Sequence, residues 1–453
     1  MIFSIWLLRR DLRRRPSLSS ALWIPTFFFM VIASRPLSSW IGGGGHAEGR
    51  SSSTLLDQLF FVLALGASFV IASSRGIRWG RFFAANLPLM FIYGYFLCSV
   101  AWSDDPAGSA VRIVKDFGIL IVIGLIYSEK EPIQAIRAVF IRSACVLFPL
   151  SIVFDRWFPN FGREFSLAGG MMYSGVTGQK NSLGELIFVL CTFIVWDYID
   201  SPASNRRRGL WRGMSWDHFG LFVMGIALLV QCQSKTALVC LVIAGTLSVR
   251  KGALASRAIS TAAYIVVLST PFFLWFTKTF DNLITPILTA MGRDATFTGR
   301  TNIWTHITAE TVNPIIGCGY WNFWQGPRGF EISREAHWRI PTAHCGFLDI
   351  YLDGGVIGLF VLFCALVACG RRLIKGSQDT FRLVGLAILS GTIIYNLTES
   401  SLVRIGASWF ATLVMIVEFP QKKTNANVQR GRSNEDRVDH MQSASEAEWL
   451  TVR

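Results

Sequence analysis

Runs of about 20 apolar residues recur along this chain, and each is long enough to cross the hydrocarbon core of a bilayer as one helix. Backbone amides find no water in lipid, so a chain built from such runs folds as a bundle of membrane helices. Of its 453 residues, 52% are hydrophobic and only 16% are charged, whereas soluble domains carry about 25% charged residues. The sequence therefore predicts an all-α polytopic membrane protein.

A window of about 20 residues, moved along the sequence, predicts about twelve membrane-spanning helices. The strongest cover residues 55–73, 84–102, 133–154, 259–276, 347–369 and 403–419. The weaker ones cover residues 21–34, 112–127, 183–199, 218–231, 236–249 and 381–397. The run at 21–34 contains Pro25 and follows a basic stretch, a pattern that also occurs in signal peptides. We interpret it as a retained helix, because further spans follow at once.

Clusters of Lys and Arg predict the orientation, because basic loops resist translocation and stay in the cytoplasm. These clusters lie at residues 9–15, 75–81, 206–212, 250–257 and 371–382. With about twelve spans and a cytoplasmic N-terminus, all of them fall on the cytoplasmic side. The formal net charge of +14 is thus explained by topology rather than by a nucleic-acid-binding surface.

The predicted organisation has five parts, which are defined by hydropathy and charge. They are a cytoplasmic basic N-terminus (1–20), the first nine transmembrane helices (21–276), a large periplasmic loop with short helices (277–346), the last three transmembrane helices (347–419) and a disordered cytoplasmic tail (420–453). The tail is polar and poor in apolar residues, as disordered segments are. Loops as long as 277–346 are uncommon unless they carry function, so this loop is the predicted working part.

Cationic side chains are predicted on the outer side, at or beyond span ends: Lys180, Lys235 and Arg300. A cation at membrane depth costs about 2.5 to 3.5 kcal/mol, so it reaches the interface or meets an anion. Lys180 and Lys235 also fit simple snorkelling to the interface. Arg300 opens a helical pattern, so its guanidinium and the first backbone N–H groups are suited to share one anion. A substrate with more than one phosphate would suit such a set.

His344 is the predicted general base. It lies on the same outer side just before a long apolar span, and imidazole is the commonest group for accepting a proton from a reacting hydroxyl. A histidine packed at the span entrance is the alternative. His306 and His337 are weaker candidates in the same loop.

Aromatic residues accompany these groups in the long loop. Trp304, Tyr320 and Trp324 are the predicted sugar contacts, and a belt of aromatic rings at the headgroup level is the alternative. Cys318 and Cys345 are both predicted outside, and the sequence leaves open whether they pair.

Signatures of several other site classes are missing from the sequence. There is no CxxC or HExxH spacing, so no metal site is predicted. There is also no GxGxxG after a strand, no GxxxxGK[ST] and no GxSxG, which disfavours nucleotide-driven chemistry.

A set of segments in a fixed order resembles a known superfamily. The segments are AWSDDP, GQKNSLG, QSKTAL, RDATFTGRTNIW, NPIIGCGYWNFW and AHCGFLDIYLDGGVIGL. They resemble the O-antigen ligase and Wzy-type polymerase superfamily, in particular its ExoQ-like exopolysaccharide polymerases. The resemblance implies a GT-C-like fold and a metal-independent glycosyltransferase without cofactor, in the bacterial inner membrane with both termini cytoplasmic.

The implied substrate is a glycan on undecaprenyl pyrophosphate. By this resemblance Arg300 and Lys235 bind the pyrophosphate, Lys180 assists, and His344 activates the acceptor hydroxyl. The chain departs from the family pattern at Cys345, where Asn is common, and at Lys235, where the ligase branch more often has Arg. The second departure favours a polymerase, since Lys binds phosphate as a point charge rather than bidentately.

Three functions fit a polytopic membrane protein with these residues, and they differ in substrate and in where the charged groups lie. A polymerase joins lipid-linked repeats into exopolysaccharide, with a flippase and a chain-length regulator as expected partners. An O-antigen ligase transfers the glycan to lipid A core or to protein. A flippase or other transporter would place ionisable residues near the midplane, whereas the predicted groups cluster at one face of the membrane.

Overall fold

The structure, a computed structural model, is almost entirely helical in the part of the chain that it describes. It describes residues 2–41, 54–165, 170–200, 216–249, 265, 307, 312–336, 340–375 and 379–420. The helices are α1 (Ile2–Arg14), α2 (Trp23–Ile32), α3 (Leu37–Ile41), α4 (Leu55–Ser74), α5 (Trp79–Ala85), α6 (Leu87–Cys98), α7 (Pro106–Tyr127), α8 (Pro132–Trp157), α9 (Pro159–Gly162), α10 (Lys180–Ile199), α11 (Trp216–Cys232), α12 (Lys235–Val249), α13 (Pro327–Ala336), α14 (Gly346–Lys375), α15 (Thr380–Tyr395) and α16 (Ala407–Ile416). Strands β1 (Arg163–Phe165) and β2 (Met171–Tyr173) pair antiparallel, with Glu164 opposite Met172.

Several helices have the length and apolarity of membrane spans. These are α4, α8, α10 and α14, and the pair Trp79–Ala85 and Leu87–Trp102, bent by 95°, adds one more candidate. Within the described residues each predicted span coincides with a helix, although some of these helices are short; the predicted span 259–276 lies almost wholly outside them. The structure therefore agrees with an all-α membrane protein, and the count of about twelve spans stays a prediction.

The predicted span at 403–419 is shorter in the structure than in the sequence analysis. Its helix, α16, covers only Ala407–Ile416, and residues 401–406 form turns. Val403 has a φ of 55°, a conformation that a β-branched residue rarely adopts and that interrupts a regular right-handed helix. Hydropathy could not reveal this break, because the apolar pattern continues through it.

Helix α10 is the centre of the bundle. It contacts α8, α11, α12, α15 and α16, and side chains on all of its faces are buried, among them Leu186, Phe188 and Leu190. A helix that is apolar and buried all round is a core element. Its first residue, Lys180, is therefore held by a helix that packs against much of the bundle.

Helix α14 is broken at Gly355, whose φ is 62°. The chain segment that precedes α13 crosses the break and hydrogen-bonds to the backbone groups on both sides of it. The N–H groups of Cys318 and Gly319 donate to carbonyls of the first half of α14. The carbonyls of Pro314 and Ile315 accept from N–H groups of the second half, and all four distances are 2.9 to 3.2 Å. A Cβ at Gly355 would lie 2.3 Å from the Ile315 carbonyl, so only glycine fits there.

The basic N-terminal segment packs on the bundle. Beyond the end of α1, Arg15 Nη2 lies 2.6 Å from Asp197 of α10, and Arg142 of α8 lies 2.7 Å from Asp11 of α1. Part of the predicted cluster at 9–15 is thus neutralised by buried carboxylates. Ion pairs of this kind are costly to break, since an unpaired buried charge remains.

Candidate active site

Two helices begin side by side, and each begins with a lysine. Lys180 is the first residue of α10 and Lys235 is the first residue of α12. The two starts are in contact, because a Cβ on Gly184 would lie 2.6 Å from the Cβ of Ser234. The N–H groups at a helix start carry partial positive charge. Two such starts with two lysines form a region of positive potential suited to an anion with several oxygens.

His344 lies next to these helix starts, in the segment that leads into α14. Its Nδ1 is 3.0 Å from Oε2 of Glu399, and Asn181 Nδ2 donates to the other Glu399 oxygen at 2.5 Å. Glu399 thus joins His344 to the residue that follows Lys180. With Nδ1–H donated to a carboxylate, the imidazole presents Nε2 as the proton acceptor. The side chains of His344 and Glu399 are 19% and 15% exposed, so a substrate can reach them.

The turn after α15 connects the start of α12 to Glu399 and His344. Thr398, which precedes Glu399 in this turn, lies with its hydroxyl 3.1 Å from that of Thr236, the second residue of α12. Tyr395, the last residue of α15, donates its hydroxyl to the Asn181 carbonyl. The turn therefore holds the imidazole and both lysine-bearing helix starts in one set of contacts, which we call the His344 site.

Gly346 locks the His344 segment onto this turn. Its N–H donates to the carbonyls of Asn396 and Glu399 at 2.8 and 3.2 Å. A Cβ at this position would lie 1.8 Å from Oδ1 of Asn396, far inside van der Waals contact. Asn396 cannot yield, because the same oxygen accepts from the N–H groups of Ser401 and Leu402.

Replacing Gly346 by alanine is expected to destabilise the protein by about 1 to 3 kcal/mol, since overpacking forces the turn to shift. The measurement is the thermal unfolding midpoint of the purified protein in detergent. Gly94→Ala is the matched control, because Gly94 lies within α6 with nothing within 4 Å of a Cβ, and alanine favours a helix interior. Equal midpoints for the two variants would contradict the locking role of Gly346.

Asp349 organises the floor of the site. It is fully buried and accepts hydrogen bonds from the Ala343 N–H at 3.0 Å and from Trp324 Nε1 at 2.6 Å. The Ser400 hydroxyl also donates to it. Asp349 therefore fixes the residue before His344 and the residue after Glu399 at once.

Arg404 is a functional candidate that the sequence analysis did not identify. It is 6% exposed, lies 3.6 Å from Asp349 and 3.4 Å from Asp353, and its guanidinium is 5.0 Å from the centre of the Trp321 ring. Buried ionisable groups in membrane proteins usually mark function. The sequence could have identified Arg404 by this rule, because Arg404 falls inside a predicted membrane span.

Unusual backbone conformations concentrate in this region. In the described part of the chain, the non-glycine residues with positive φ are Gln233, Trp321, His344 and Val403. Each lies within the His344 site or next to Lys235, Arg404 or the aspartates that hold Arg404. Such conformations cost about 1 to 3 kcal/mol each and cluster at functional sites. The strain therefore supports the same location as the hydrogen bonds.

Comparison with known proteins bears on the superfamily that the chain resembles. Residues 219–363 match the model of the O-antigen ligase family (Wzy_C). The exopolysaccharide production protein ExoQ of Rhizobium meliloti (strain 1021) is 24% identical over 306 residues, which cover 64% of this chain and 67% of that protein. The resemblance to the O-antigen ligase superfamily is confirmed.

The segment that matches the O-antigen ligase family contains only part of the His344 site. Lys235 and His344 lie inside residues 219–363, whereas Lys180, Glu399 and Arg404 lie outside them. It is the packing of α10, α12 and the turn after α15 that brings the two sets together.

The structure describes some of the sequence-predicted site residues and not others. It brings Lys180, Lys235 and His344 together through the contacts of Asn181, Thr236 and Glu399. Arg300 and Trp304 lie outside the described residues, as do His306 and His337.

The two remaining predicted sugar contacts, Tyr320 and Trp324, are buried. They are 2% and 5% exposed, so neither ring offers a face to a sugar. Burial and the nearby Asp116 carboxylate raise the pKa of Tyr320 well above its usual range. Its hydroxyl therefore stays protonated and donates to Asp116 at 2.8 Å. Trp324 instead contacts Asp349, and the Tyr320 ring packs against Phe96 with 5.0 Å between the ring centres.

Two further points concern a disulfide, which the sequence left open, and a metal site, which the sequence disfavoured. Cys318 and Cys345 are not joined by a disulfide in the structure, and burial raises the pKa of the Cys318 thiol. Among the described residues, no three His, Cys, Asp or Glu side chains are grouped as ligands for a metal ion.

Proposed function

We propose that this protein is a membrane glycosyltransferase that polymerises undecaprenyl-pyrophosphate-linked oligosaccharide repeats into exopolysaccharide at the periplasmic face of the inner membrane. The observation that carries the proposal is the His344 site, where a carboxylate-bound imidazole lies beside two lysine-bearing helix starts. A general base and an anion site are the two elements that transfer of a sugar from a pyrophosphate requires. The proposed reaction uses neither a metal nor a cofactor.

In the proposed step, Nε2 of His344 accepts the proton of an acceptor hydroxyl. The acceptor oxygen forms a bond to the anomeric carbon of the donor chain, while the bond from that carbon to the phosphate oxygen breaks. Undecaprenyl pyrophosphate leaves with the bonding electron pair. Glu399 stabilises the imidazolium that forms, in the manner of the acid in a catalytic triad.

The leaving group determines the role of the lysines. Pyrophosphate is stable once its charge is neutralised by groups that are already in position. Lys180 and Lys235, with the N–H groups that begin α10 and α12, supply such groups in this proposal. Arg300 is proposed as a third cation, on the resemblance and its position in the sequence.

The direct test is reconstitution. Purified protein in liposomes with lipid-linked repeats is expected to produce a ladder of longer glycans on the lipid carrier and to release undecaprenyl pyrophosphate in step with each extension. Repeats that stay unextended after incubation with folded, membrane-inserted protein would contradict the proposal.

Ligase activity is the second candidate. The match of residues 219–363 to the O-antigen ligase family favours it, whereas the similarity to ExoQ, an exopolysaccharide production protein, favours the polymerase. Deletion of the gene separates the two. Loss of long exopolysaccharide while single repeats persist supports the polymerase. Accumulation of full-length polymer on its lipid carrier supports the ligase.

Topology gives an independent prediction. A reporter that is active only in the periplasm is expected to be active when fused near Gln325 and inactive when fused in the tail 420–453, because the basic clusters orient the helices with both termini in the cytoplasm. The reverse pattern of activities would contradict the placement of the site. A flippase that delivers the repeats and a chain-length regulator are the partners proposed for this orientation.

A further inference from the structure

We propose that a cavity next to the His344 site binds one sugar ring of the acceptor glycan. The acceptor glycan and the pyrophosphate of the donor then occupy separate subsites. The inference rests on the proposed function and adds the acceptor subsite to it. The cavity has a volume of about 170 Å³. It adjoins the site, because its wall includes Ser182 and Ser400, the residues that follow Asn181 and Glu399.

Buried polar groups with unused hydrogen-bonding capacity indicate that the cavity takes a ligand. Ser401 and Arg404 both line it and are only 4% and 6% exposed. The Ser401 hydroxyl has no hydrogen-bond partner among the described residues, and Nη1 of Arg404 makes no hydrogen bond there beyond its 3.6 Å ion pair with Asp349. A buried hydroxyl without a partner costs about 1 to 3 kcal/mol. A bound ligand with acceptor oxygens would satisfy Ser401 and give Nη1 of Arg404 a hydrogen bond.

The charge around the cavity favours a neutral ligand. Arg404 brings one positive charge, but Asp349 and Asp353 lie within 3.6 Å of it, and the Glu185 carboxylate is part of the wall. The surroundings are thus rich in carboxylates, which would repel a phosphate. Four serines, Ser34, Ser182, Ser400 and Ser401, also line the cavity, and serine hydroxyls and carboxylates together bind the hydroxyl groups of a sugar.

The size favours a single ring. A volume of about 170 Å³ is below the roughly 300 Å³ at which pockets for drug-sized ligands begin. A disaccharide would extend out of the cavity. The acceptor would therefore place one ring in the cavity, while the pyrophosphate occupies the helix starts with Lys180 and Lys235.

The test is glycan binding by the full-length protein in lipid nanodiscs. The probe is the free repeat oligosaccharide, released from lipid-linked precursor by mild acid and labelled by reduction with borotritide. Wild type is expected to bind it saturably. Ser401→Val is expected to weaken binding about tenfold, because it removes a donor and fills the cavity. Ser74→Val, at the exposed end of α4, is the matched control and should bind as wild type.

A second variant and a competitor complete the design. Ser401→Ala removes the hydroxyl without adding volume, so it should also weaken binding and will decide the matter if the valine variant does not fold. Saturating inorganic pyrophosphate is expected to leave glycan binding in place. Displacement of the glycan by pyrophosphate, wild-type affinity in Ser401→Ala, or no saturable binding by wild type would overturn the subsite.

The two proposals fail separately. If wild type extends lipid-linked repeats while the Ser401 variants bind glycan normally, the subsite is wrong and the polymerase stands. If wild type binds the glycan in a Ser401-dependent manner but never extends the repeats, the subsite stands and the polymerase is wrong.

Discussion

Replacing His344 by alanine is expected to lower the rate of chain extension by roughly 10²- to 10⁴-fold, the usual contribution of a general base. The reason is that Glu399 holds the imidazole with Nε2 available to a hydroxyl (Nδ1 to Oε2, 3.0 Å), and the alanine side chain cannot accept the proton. The measurement is the initial rate of glycan extension in liposomes, normalised to the amount of protein in the membrane.

His337→Ala is the matched histidine control, since this residue comes from the same predicted loop. It should extend glycans as wild type does. Normal polymer length in cells that carry only His344→Ala, with normal protein content in the membrane, would refute the role of His344 as base.

Removing the charge of Lys180 or Lys235 is expected to lower kcat/KM for lipid-linked repeats by roughly 10- to 100-fold each, as for loss of one charge-assisted contact. The double Gln variant should lose more than either single variant, because both helix starts act on one leaving group. The arginine variants test charge against shape: each keeps the positive charge and should recover part of the lost activity.

Lys130→Gln provides the control for the lysine series. Lys130 is exposed in the turn between α7 and α8, so its replacement should leave kcat/KM unchanged. Wild-type kinetics in the double variant would show that the anion binds elsewhere, and Arg300 would then be the residue to examine.

The helices themselves could be predicted, because membrane burial imposes one simple requirement on the sequence. Runs such as 55–73 and 183–199 coincide with α4 and α10, since their apolar length alone identifies them. Hydropathy does not reveal where a helix is interrupted. The kink at Gly355 and the turns at 401–406 lie within apolar stretches, and they depend on contacts with distant segments.

The candidate site could be predicted only for residues that stand in recognisable segments. Lys180, Lys235 and His344 were identified in this way. Glu399 was not, because nothing in its neighbourhood resembles a motif and its partners lie 55 and 218 residues away in the chain. Arg404 was hidden by the apolar residues around it. Long-range packing brings such residues to a site, and no local pattern records that packing.

The break in α14 has a mechanical consequence. The first half of the helix carries Gly346, Asp349 and Asp353, while the apolar second half continues to Lys375. At Gly355 both halves hydrogen-bond to the same crossing segment, residues 314–319, rather than to each other, so a bend at the joint would break those bonds. The crossing segment therefore acts as a brace that sets the angle between the two halves. The side chains of the first half are in this way held in a fixed direction relative to the apolar second half.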